Sequence, residues 1–572
     1  MKTLLKHKMT WFYMVLILAC CASFVFSNVS YDSEYQMAMA YRLIQGDEMV
    51  LQMWEPHQTS AFLCAILMWI YMSLTGTTTG IVLFLQIAGL LIRAGIGYLI
   101  YREIKEMPVE NSEIPGFLAG ITYLLISPKE LLTPEFGNMQ LWFGTLVFLT
   151  LIRYFKTEKI WYLFAGAVCF CLGVFSYPSF LLVSLGVIAA FMMYSKHKIR
   201  DIGIYLGVGL VIGGTFVAYL LMNVGFETAL NCVSAALAVE PSHTVGAGEK
   251  VLGHVLNIGK TFGMLLGIGA IGALTEVVAG MIRKLSGKET FRFVWREWLM
   301  ISWFVLMGFL LWNILSVENR GGYAFPFLVI LILGYLKHKL LAEEEKRMYF
   351  TAFWISSTSL VATLVLSDNA FIQAVTYMLV WICVSLLPVY RYFLEIKREK
   401  QWRKLFLWGM HIFFLLIIFR CIYIHIPLHG RSQIISLTDE LAIIRSGPGI
   451  GIISDEDGVA RQRDSMAEWS RYISPGDKVW IVGEPVDTLG YLYEDVEVAA
   501  PTVMSTPTYN EELLYYWELN PEKYPDVVVV SSAFGELSWE VLSNEWLLKW
   551  LEEEYPATQV IDGNYWRYYL KE

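Results

Sequence analysis

The sequence predicts a polytopic α-helical membrane protein of about thirteen transmembrane helices, followed by a C-terminal α/β domain. Three observations support this fold class. Of the 572 residues, 56% are apolar and 17% are charged, whereas soluble domains average roughly 45–50% apolar and about 25% charged residues. Apolar runs of about 20 residues, the length that crosses a bilayer, recur through residues 1–424. Residues 425–572 are polar and acidic, so an ordinary soluble enzyme is excluded.

The charge distribution separates the same two regions. Residues 425–572 contain 10 Lys and Arg against 26 Asp and Glu, whereas residues 1–424 contain 33 Lys and Arg against 26 Asp and Glu. We therefore place the domain boundary near residue 424, where the last apolar run ends. A tail this acidic excludes nucleic acid as a partner, because it would repel the phosphates of the nucleic acid. The eight cysteines lie in or beside apolar sequence and predict no disulfide framework.

The first apolar run, Trp11–Phe26, follows three lysines and resembles the start of a signal peptide. Because many apolar runs come after it, we interpret it as an uncleaved first helix whose N-terminus lies in the cytoplasm. Twelve further spans are predicted near residues 80–101, 114–127, 138–155, 160–178, 179–195, 200–222, 256–282, 297–317, 322–340, 348–367, 371–391 and 404–424.

One additional apolar run, residues 61–74, has only 14 residues. As a helix it would extend about 21 Å, which suits an interfacial segment better than a bilayer crossing. If this run stays on the outer face, seven basic clusters holding 26 of the 33 Lys and Arg of residues 1–424 fall on the cytoplasmic side, as the positive-inside rule requires. We therefore expect a multi-pass protein of the plasma membrane with a cytoplasmic N-terminus and an exoplasmic C-terminal domain.

The tail has the alternating pattern of an α/β domain. Residues 478–483 and 526–532 are typical of buried strands. Helical patterns and a closing strand surround them, at residues 455–473, 510–524, 543–555 and 564–571. This order predicts a small parallel or mixed sheet with helices on its faces. The tail has no nucleophile elbow and no metal-ligand cluster, so we interpret it as a docking or substrate-shaping module rather than a second active site.

Chemistry is expected in the first outer loop, residues 28–60. Asp32 and Glu34 come shortly after the first span, at the depth where a lipid headgroup meets water. Residues 35–44 have helical apolar spacing and should lie along the membrane interface. His57 and Gln58 are donors beside the N-terminus of the 61–74 helix, a position that favours anions. The loop predicts a site for lipid-phosphate chemistry, although acids after a span are also typical of solvated loops.

This arrangement resembles the class C (GT-C fold) membrane glycosyltransferases, and it is most similar to the branch of protein O-mannosyltransferases and aminoarabinose transferases. The resemblance covers the architecture of the whole chain, with motif-level similarity over about residues 28–140. It implies that Asp32 acts on the acceptor, with Glu34 as its neighbour. The branch has a His/Lys-Pro-Pro segment near the lipid phosphate, whereas this chain has Glu55-Pro56-His57-Gln58 there.

The resemblance implies two further kinds of site residue. A second acid is expected in the next outer loop, at Glu135, with Asn138 as its helper. An exoplasmic arginine is expected near the lipid phosphate, and Arg320 in the turn at residues 316–323 is the best candidate. Arg42 is one of the few other cations on that face and is also expected to bind substrate, whereas His57 is the next candidate for the phosphate after Arg320.

The resemblance also implies the reaction. A polyprenyl-phosphate sugar would be the donor, and the acceptor would be a hydroxyl of a glycan, a lipid or a protein. Asp32 would act as general base, cationic or amide donors would stabilise the departing phosphate, and direct displacement would invert the anomeric centre. A divalent metal bound through Asp32 and Glu34 is the one cofactor left open. Membrane lipids surround the body, and the expected context is cell-envelope polysaccharide biosynthesis.

Two other classes of function stay open at this point. A transporter or flippase for a lipid-linked saccharide would carry internal repeats and buried polar residues in broken helices. The sequence has no repeat, but Glu276 and Arg93, the latter assigned to the cytoplasmic half of its span, are intramembrane charges. A non-catalytic envelope scaffold whose tail binds a partner is the other class. Because no P-loop or dinucleotide fingerprint occurs, the sequence argues against an ATP-driven pump.

Overall fold

The structure is a computed structural model that describes most of the chain. The described residues are 8–27, 31–126, 128, 132–239, 247–287, 294–315, 323–366, 371–396, 400–425, 441–483, 485–504, 511–533, 536–537 and 539–571. Arg320, the candidate phosphate ligand, lies outside them.

Helices dominate residues 8–425. Those described are α1 (Lys8–Phe26), α2 (Tyr31–Gln45), α3 (Ala61–Thr75), α4 (Ile81–Lys105), α5 (Glu113–Leu125), α6 (Phe136–Thr157), α7 (Ile160–Ser176), α8 (Val183–Tyr194), α9 (Lys198–Asn223), α10 (Phe226–Val239), α11 (Ala247–Leu285), α12 (Trp295–Leu315), α13 (Ala324–Lys337), α14 (Glu343–Leu366), α15 (Phe371–Ala374), α16 (Leu379–Ile396) and α17 (Lys400–His425). Short 3₁₀ turns adjoin them at Gln58–Ser60, Pro178–Leu182, His338–Leu340 and Val375–Met378. Each apolar run predicted from the sequence coincides with at least one of these helices.

Several of these helices are long and apolar enough to cross a membrane. Six described segments qualify by length and composition, namely Gln58–Thr75, Ile81–Lys105, Lys198–Asn223, Gly248–Leu285, Glu343–Val365 and Phe371–Tyr392. Shorter apolar helices accompany them at Trp11–Phe26, Glu113–Leu125, Ile160–Ser176, Pro178–Tyr194, Glu297–Asn313 and Trp408–Ile422. These helices are compatible with a multi-pass membrane protein.

Basic side chains gather at one end of α4, α6, α14 and α16. Arg153 near the end of α6 lies 2.5 Å from the carboxylate of Glu103 near the end of α4. Arg391 in α16 lies 2.6 Å from Glu345 at the start of α14, and it also donates to the carbonyl of Pro108, just after α4. Basic clusters that the sequence assigns to a common face therefore lie close together.

Residues 441–571, here named the C-terminal segment, contact the other end of the helical body. The N–H of Gly80, just before α4, donates to the carbonyl of Gly447 at 3.1 Å. Ser27, just after α1, forms a β-bridge with Ile453. The C-terminal segment thus lies at the start of α4, whereas the basic contacts lie at its end.

Both flanks of α3 are held by this same segment. Before α3, the N–H of Trp54 donates to the carbonyl of Pro501 at 2.7 Å. After α3, the hydroxyl of Thr78 donates to the carbonyl of Leu492 at 2.8 Å. The helix has 15 residues and is therefore about 22 Å long. The C-terminal segment therefore contacts the chain both before and after α3.

Arg93 lies at the midpoint of α4, and its assignment to the cytoplasmic half of the span stays a prediction. It is fully buried, and its guanidinium donates to the carbonyls of Tyr123, Leu124 and Ile126 at the end of α5. The last carbonyls of a helix have no partner within it and attract a cation. Arg93 therefore caps α5 from a neighbouring helix.

The C-terminal segment combines short strands with helices. Its elements are β1 (Leu441–Ile443), β2 (Ile453–Asp455), α18 (Glu456–Tyr472), β3 (Lys478–Val482), β4 (Glu497–Val498), α19 (Glu511–Leu519), β5 (Val527–Ala533), β6 (Glu536–Leu537), α20 (Trp539–Leu542), α21 (Glu545–Lys549), β7 (Gln559–Asp562) and β8 (Trp566–Leu570). Turns of 3₁₀ or π type occupy Pro485–Leu492, Pro521–Lys523 and Trp550–Glu554.

The main sheet of this segment is mixed, with the strand order β4-β3-β5-β8-β7. Strand β3 pairs in parallel with β4 and β5, whereas β8 runs antiparallel to β5 and β7. Trp480 packs against Trp517 of α19 on one face of the sheet, and Trp469 of α18 packs against Trp566 on the other. Helices therefore cover both faces, and β3 and β5 occupy the positions of the two buried strands expected from the sequence.

Candidate functional site

The start of α2 is fixed to two parts of the chain, the loop before α6 and the end of the first loop. The hydroxyl of Ser33 is 2.6 Å from that of Thr133, the phenol of Tyr35 donates to Glu55 at 2.9 Å, and Gln36 accepts from Ser60 at 2.9 Å. Residues 33–42 are all buried. The sequence predicts that this helix lies along the membrane interface, and this stays a prediction; the structure adds that the C-terminal segment packs on the helix, as in the hydrogen bond from Tyr41 to Asp495.

The acidic pair predicted in this loop lies on α2 itself. Asp32 is partly exposed, whereas Glu34 is buried. Successive helical residues are turned by about 100°, so two residues that are two positions apart point to nearly opposite sides. A ligand that approaches this end of α2 can therefore reach Asp32 more readily than Glu34.

Glu135 begins the neighbouring helix α6 as its N-cap. Its two carboxylate oxygens accept from the N–H groups of Gly137 at 2.8 Å and Asn138 at 2.5 Å. The amide of Asn138 in turn donates to the carbonyl of Thr133 at 2.9 Å. A carboxylate at this position satisfies N–H groups that have no helical partner and is favoured by the helix dipole. Glu135 and Asn138 therefore shape the loop that adjoins α2.

The phenol of Tyr377 brings the two loops together. It lies within electrostatic range of both Glu135 and Asp32, as well as of Tyr177 and Tyr323. It also approaches the first turn of α6 so closely that a Cβ atom at Gly137 would lie 2.5 Å from the Tyr377 hydroxyl oxygen. Acids from two separate loops thus lie within electrostatic range of one tyrosine.

His57 lies in an aromatic stack beside this cluster. Its ring is 4.3 Å from that of Phe136, the first residue of α6, and 5.3 Å from that of Tyr177. The hydroxyl of Thr59 donates to the carbonyl of Phe175 at 2.6 Å, which ties the turn after His57 to the end of α7. His57 therefore joins the first loop to the N-terminus of α6.

Arg420 contributes a buried cation next to Tyr323. It lies in α17, and its guanidinium carbon is 4.2 Å from the centroid of the Tyr323 ring. The sequence analysis favoured Arg320 as the phosphate ligand and did not single out Arg420. Arginine inside an apolar helix is by default a functional candidate, and that signal could have singled out Arg420.

Two predicted ligand-binding residues have structural roles. Arg42 is fully buried, lies 2.6 Å from Asp47 and donates to the carbonyl of Pro501 at 3.2 Å. Burial alone would lower the pKa of Arg42, but the carboxylate of Asp47 raises it, so the guanidinium stays charged. Gln58 accepts from the N–H of Val50 and donates to a loop carbonyl. The polar groups of Arg42 and Gln58 bond to other parts of the protein, so both residues stabilise the conformation of the first loop.

The described residues contain no group of three or more His, Cys, Asp and Glu side chains that could hold a metal ion. The structure brings together Asp32, Glu135, Tyr377 and Tyr323, with His57, Asn138 and Arg420 alongside, whereas sequence reasoning missed both tyrosines. No known protein-family model matches the chain, and no curated protein matches it.

Proposed function

We propose that this chain is a membrane glycosyltransferase of the GT-C type, which transfers a sugar from a polyprenyl-phosphate donor to an acceptor hydroxyl. The observation that carries this proposal is the approach of Asp32 and Glu135, from two separate loops, to Tyr377. Arg420 adds a buried cation on Tyr323. A reachable carboxylate and a cation near the leaving group are the groups that such a transfer requires.

The proposed topology has thirteen transmembrane helices, a cytoplasmic N-terminus and an exoplasmic C-terminal segment in the plasma membrane. Although Gln58–Thr75 is long enough to cross, we propose that α3 stays on the outer face. The contacts of Trp54 and Thr78 with the C-terminal segment support this, because they bind both flanks of α3 to one segment. The basic helix ends near Arg153 and Arg391 then face the cytoplasm.

In the proposed reaction the acceptor hydroxyl oxygen attacks the anomeric carbon while Asp32 takes its proton. The bond from the anomeric carbon to the phosphate oxygen breaks, the phosphate leaves with the electron pair, and the configuration inverts. Arg420 stabilises the leaving phosphate, and Glu34 and Glu135, which are buried, position the loops. The acceptor is a glycan, a lipid or a protein, and no step requires a bound metal.

A flippase or transporter has less support. Glu276 lies 2.7 Å from Arg283 of its own helix, and Arg283 also lies 2.6 Å from Glu297 in α12. Arg93 caps α5. Both intramembrane charges noted in the sequence therefore have structural partners. A purely scaffolding role would not require a partly exposed acid near Tyr377 and a buried cation on Tyr323.

The test is sugar transfer by the purified, detergent-solubilised chain with polyprenyl-phosphate sugars. Asp32→Asn keeps the shape of the side chain but removes its basicity, so turnover should fall by at least about 10²-fold while donor binding persists. Asp457→Asn is the matched control, because Asp457 is an exposed acid in the C-terminal segment. Full turnover in Asp32→Asn with loss of turnover in Glu34→Gln would make Glu34 the base and Asp32 the positioning residue. Full turnover in both variants would show that neither acid of this pair is the base.

A further inference from the structure

The carboxylate of Glu55 joins the first loop to the C-terminal segment. One of its oxygens accepts from the phenol of Tyr35 and from the hydroxyl of Thr502. Its other oxygen accepts from the N–H of Val503 at 2.5 Å and lies 3.7 Å from the guanidinium of Arg42. All five residues are buried. Glu55 therefore receives three hydrogen bonds and one ion pair from two distant parts of the chain.

The contact of Glu55 with Tyr35 reaches α2 next to the turn that contains Asp32 and Glu34. Tyr35 follows Asp32 by three residues, so the two lie one turn apart on neighbouring positions of the helix surface. The other ties of this turn, at Ser33 and Gln36, lead to the helical body. Among the described contacts of residues 32–36, the path through Tyr35 and Glu55 is the one that reaches Thr502 and its strand-end loop.

The remaining charges of the interface hold the far end of α2. Lys523 lies 2.6 Å from Asp47, and Asp47 lies 2.6 Å from Arg42. Tyr41, two turns after the acidic pair, donates to Asp495 at 2.7 Å. Docking of the C-terminal segment thus has two parts, one near Asp47 and one that ends at Tyr35.

We propose that Glu55 is a positioning residue through which the docked C-terminal segment sets the orientation of Asp32. This rests on the proposed function, in which Asp32 is the base. The C-terminal segment then belongs to the catalytic unit rather than forming an independent module. Its contribution is geometric, since a displacement of about 1 Å at a catalytic group can cost roughly 10²-fold in rate.

The experiment uses the full chain in detergent and removes single atoms from this path. Tyr35→Phe and Thr502→Val each delete one hydroxyl donor to Glu55, and Glu55→Gln removes its charge. Tyr41→Phe is the matched control, because it deletes an equivalent buried donor from the same helix at its other end. Amide hydrogen exchange of residues 31–36, the thermal midpoint, and kcat and KM for sugar transfer are measured on each variant.

We expect the Tyr35, Thr502 and Glu55 variants to raise exchange at residues 31–36 by about five- to tenfold, the effect of losing one buried hydrogen bond. They should lower kcat by at least about tenfold with KM for the donor unchanged. Tyr41→Phe should change neither the exchange at residues 31–36 nor kcat, but it should shift the thermal midpoint by about as much as Tyr35→Phe does. Equal effects of Tyr35→Phe and Tyr41→Phe on exchange and kcat would reduce Glu55 to a general stabiliser and overturn the proposal.

Failure of the proposed function has a different result. Suppose that the parent chain transfers no sugar, but that exchange at residues 31–36 still rises in Glu55→Gln and Thr502→Val and not in Tyr41→Phe. The link through Glu55 is then supported, and the proposed reaction is overturned. If the parent transfers sugar and exchange at residues 31–36 is the same in every variant, the reaction stands and the role of Glu55 is overturned.

Discussion

The three acids near the start of α2 differ in how accessible they are to a ligand. Glu135 uses both oxygens to cap α6, and Glu34 is buried, whereas Asp32 is partly exposed. A general base needs a lone pair that the substrate can reach, so Asp32 is the best placed of the three. The sequence could place Asp32 close to the end of the first span, because only a few residues separate them. It could not predict the role of Arg42, because its partner Pro501 is 459 residues away.

Glu135 should behave as a capping residue and not as a base. Glu135→Gln keeps an oxygen that can accept from the N–H of Asn138 but removes the charge that favours the N-terminus of α6. We expect a loss of about 0.5–2 kcal/mol in the free energy of unfolding, and a decrease in turnover smaller than that of Asp32→Asn. Thermal unfolding and single-turnover transfer on the same sample measure both. A loss of turnover as large as that of Asp32→Asn, without destabilisation, would make Glu135 the base.

Arg420 should matter through its guanidinium and not only through its charge. A guanidinium can bind two phosphate oxygens at once and stack on the ring of Tyr323, which an ammonium cannot reproduce. Arg420→Lys should therefore lower kcat/KM for the donor by at least about tenfold, or about 1.4 kcal/mol. The comparison is with Arg320→Lys, measured in the same transfer assay. If Arg420→Lys is as active as the parent and Arg320→Lys is not, the phosphate is bound by Arg320.

At the scale of elements, a long apolar run in the sequence predicted the position of its helix or strand, whereas the shortest elements could not be predicted. The runs near 80–101 and 478–483 reappear as α4 and β3 within a few residues. Strand β4 has two residues, too few for any alternation to show. Helix α2 was recognised from its spacing, but its burial depends on a partner about 450 residues later in the chain. Periodicity therefore predicts where an element lies and which of its faces is apolar, but not what covers the other face.

One close contact between elements gives a sharp test of the loop that carries Glu135. A Cβ atom at Gly89 in α4 would lie 1.8 Å from the carbonyl oxygen of Leu132, whereas one at Gly95 in the same helix would meet nothing within 4 Å. Gly89→Ala must push this loop away from α4, so we expect a lower thermal midpoint and lower turnover. Gly95→Ala is the control and should be neutral or stabilising by up to about 1 kcal/mol, since alanine favours helix.

The displacement of the loop in Gly89→Ala can be separated from a general loss of helix packing. Amide exchange should rise at residues 132–138 and remain unchanged at the end of α4, which is held by Arg153 and Glu103. If Gly89→Ala and Gly95→Ala have the same midpoint and turnover, the loop does not pack on α4 as described.

At the scale of the whole molecule, the path of α3 determines on which side of the membrane the candidate site lies. Residues 441–571 contact the end of α1, the start of α4 and both flanks of α3, while the basic ends of α4, α6 and α16 meet elsewhere. If α3 crossed the membrane, one flank would have to leave the segment that binds it. The charge distribution of the sequence and the contacts of the flanks of α3 are thus two independent arguments for the proposed topology.

This topology predicts the activity of reporter fusions in cells. A reporter that is active only outside the cytoplasm should be active when fused after Glu572 and inactive when fused after Lys288. A cytoplasm-active reporter at the same two positions is the control and should give the reverse pattern, which excludes poor expression as the cause. If the two reporters exchange their patterns, the C-terminal segment lies in the cytoplasm. Asp32 and Arg420, at the same end of the helical body, would then face the cytoplasm. A donor presented in the outer leaflet could not reach them, and an exoplasmic transferase would be excluded.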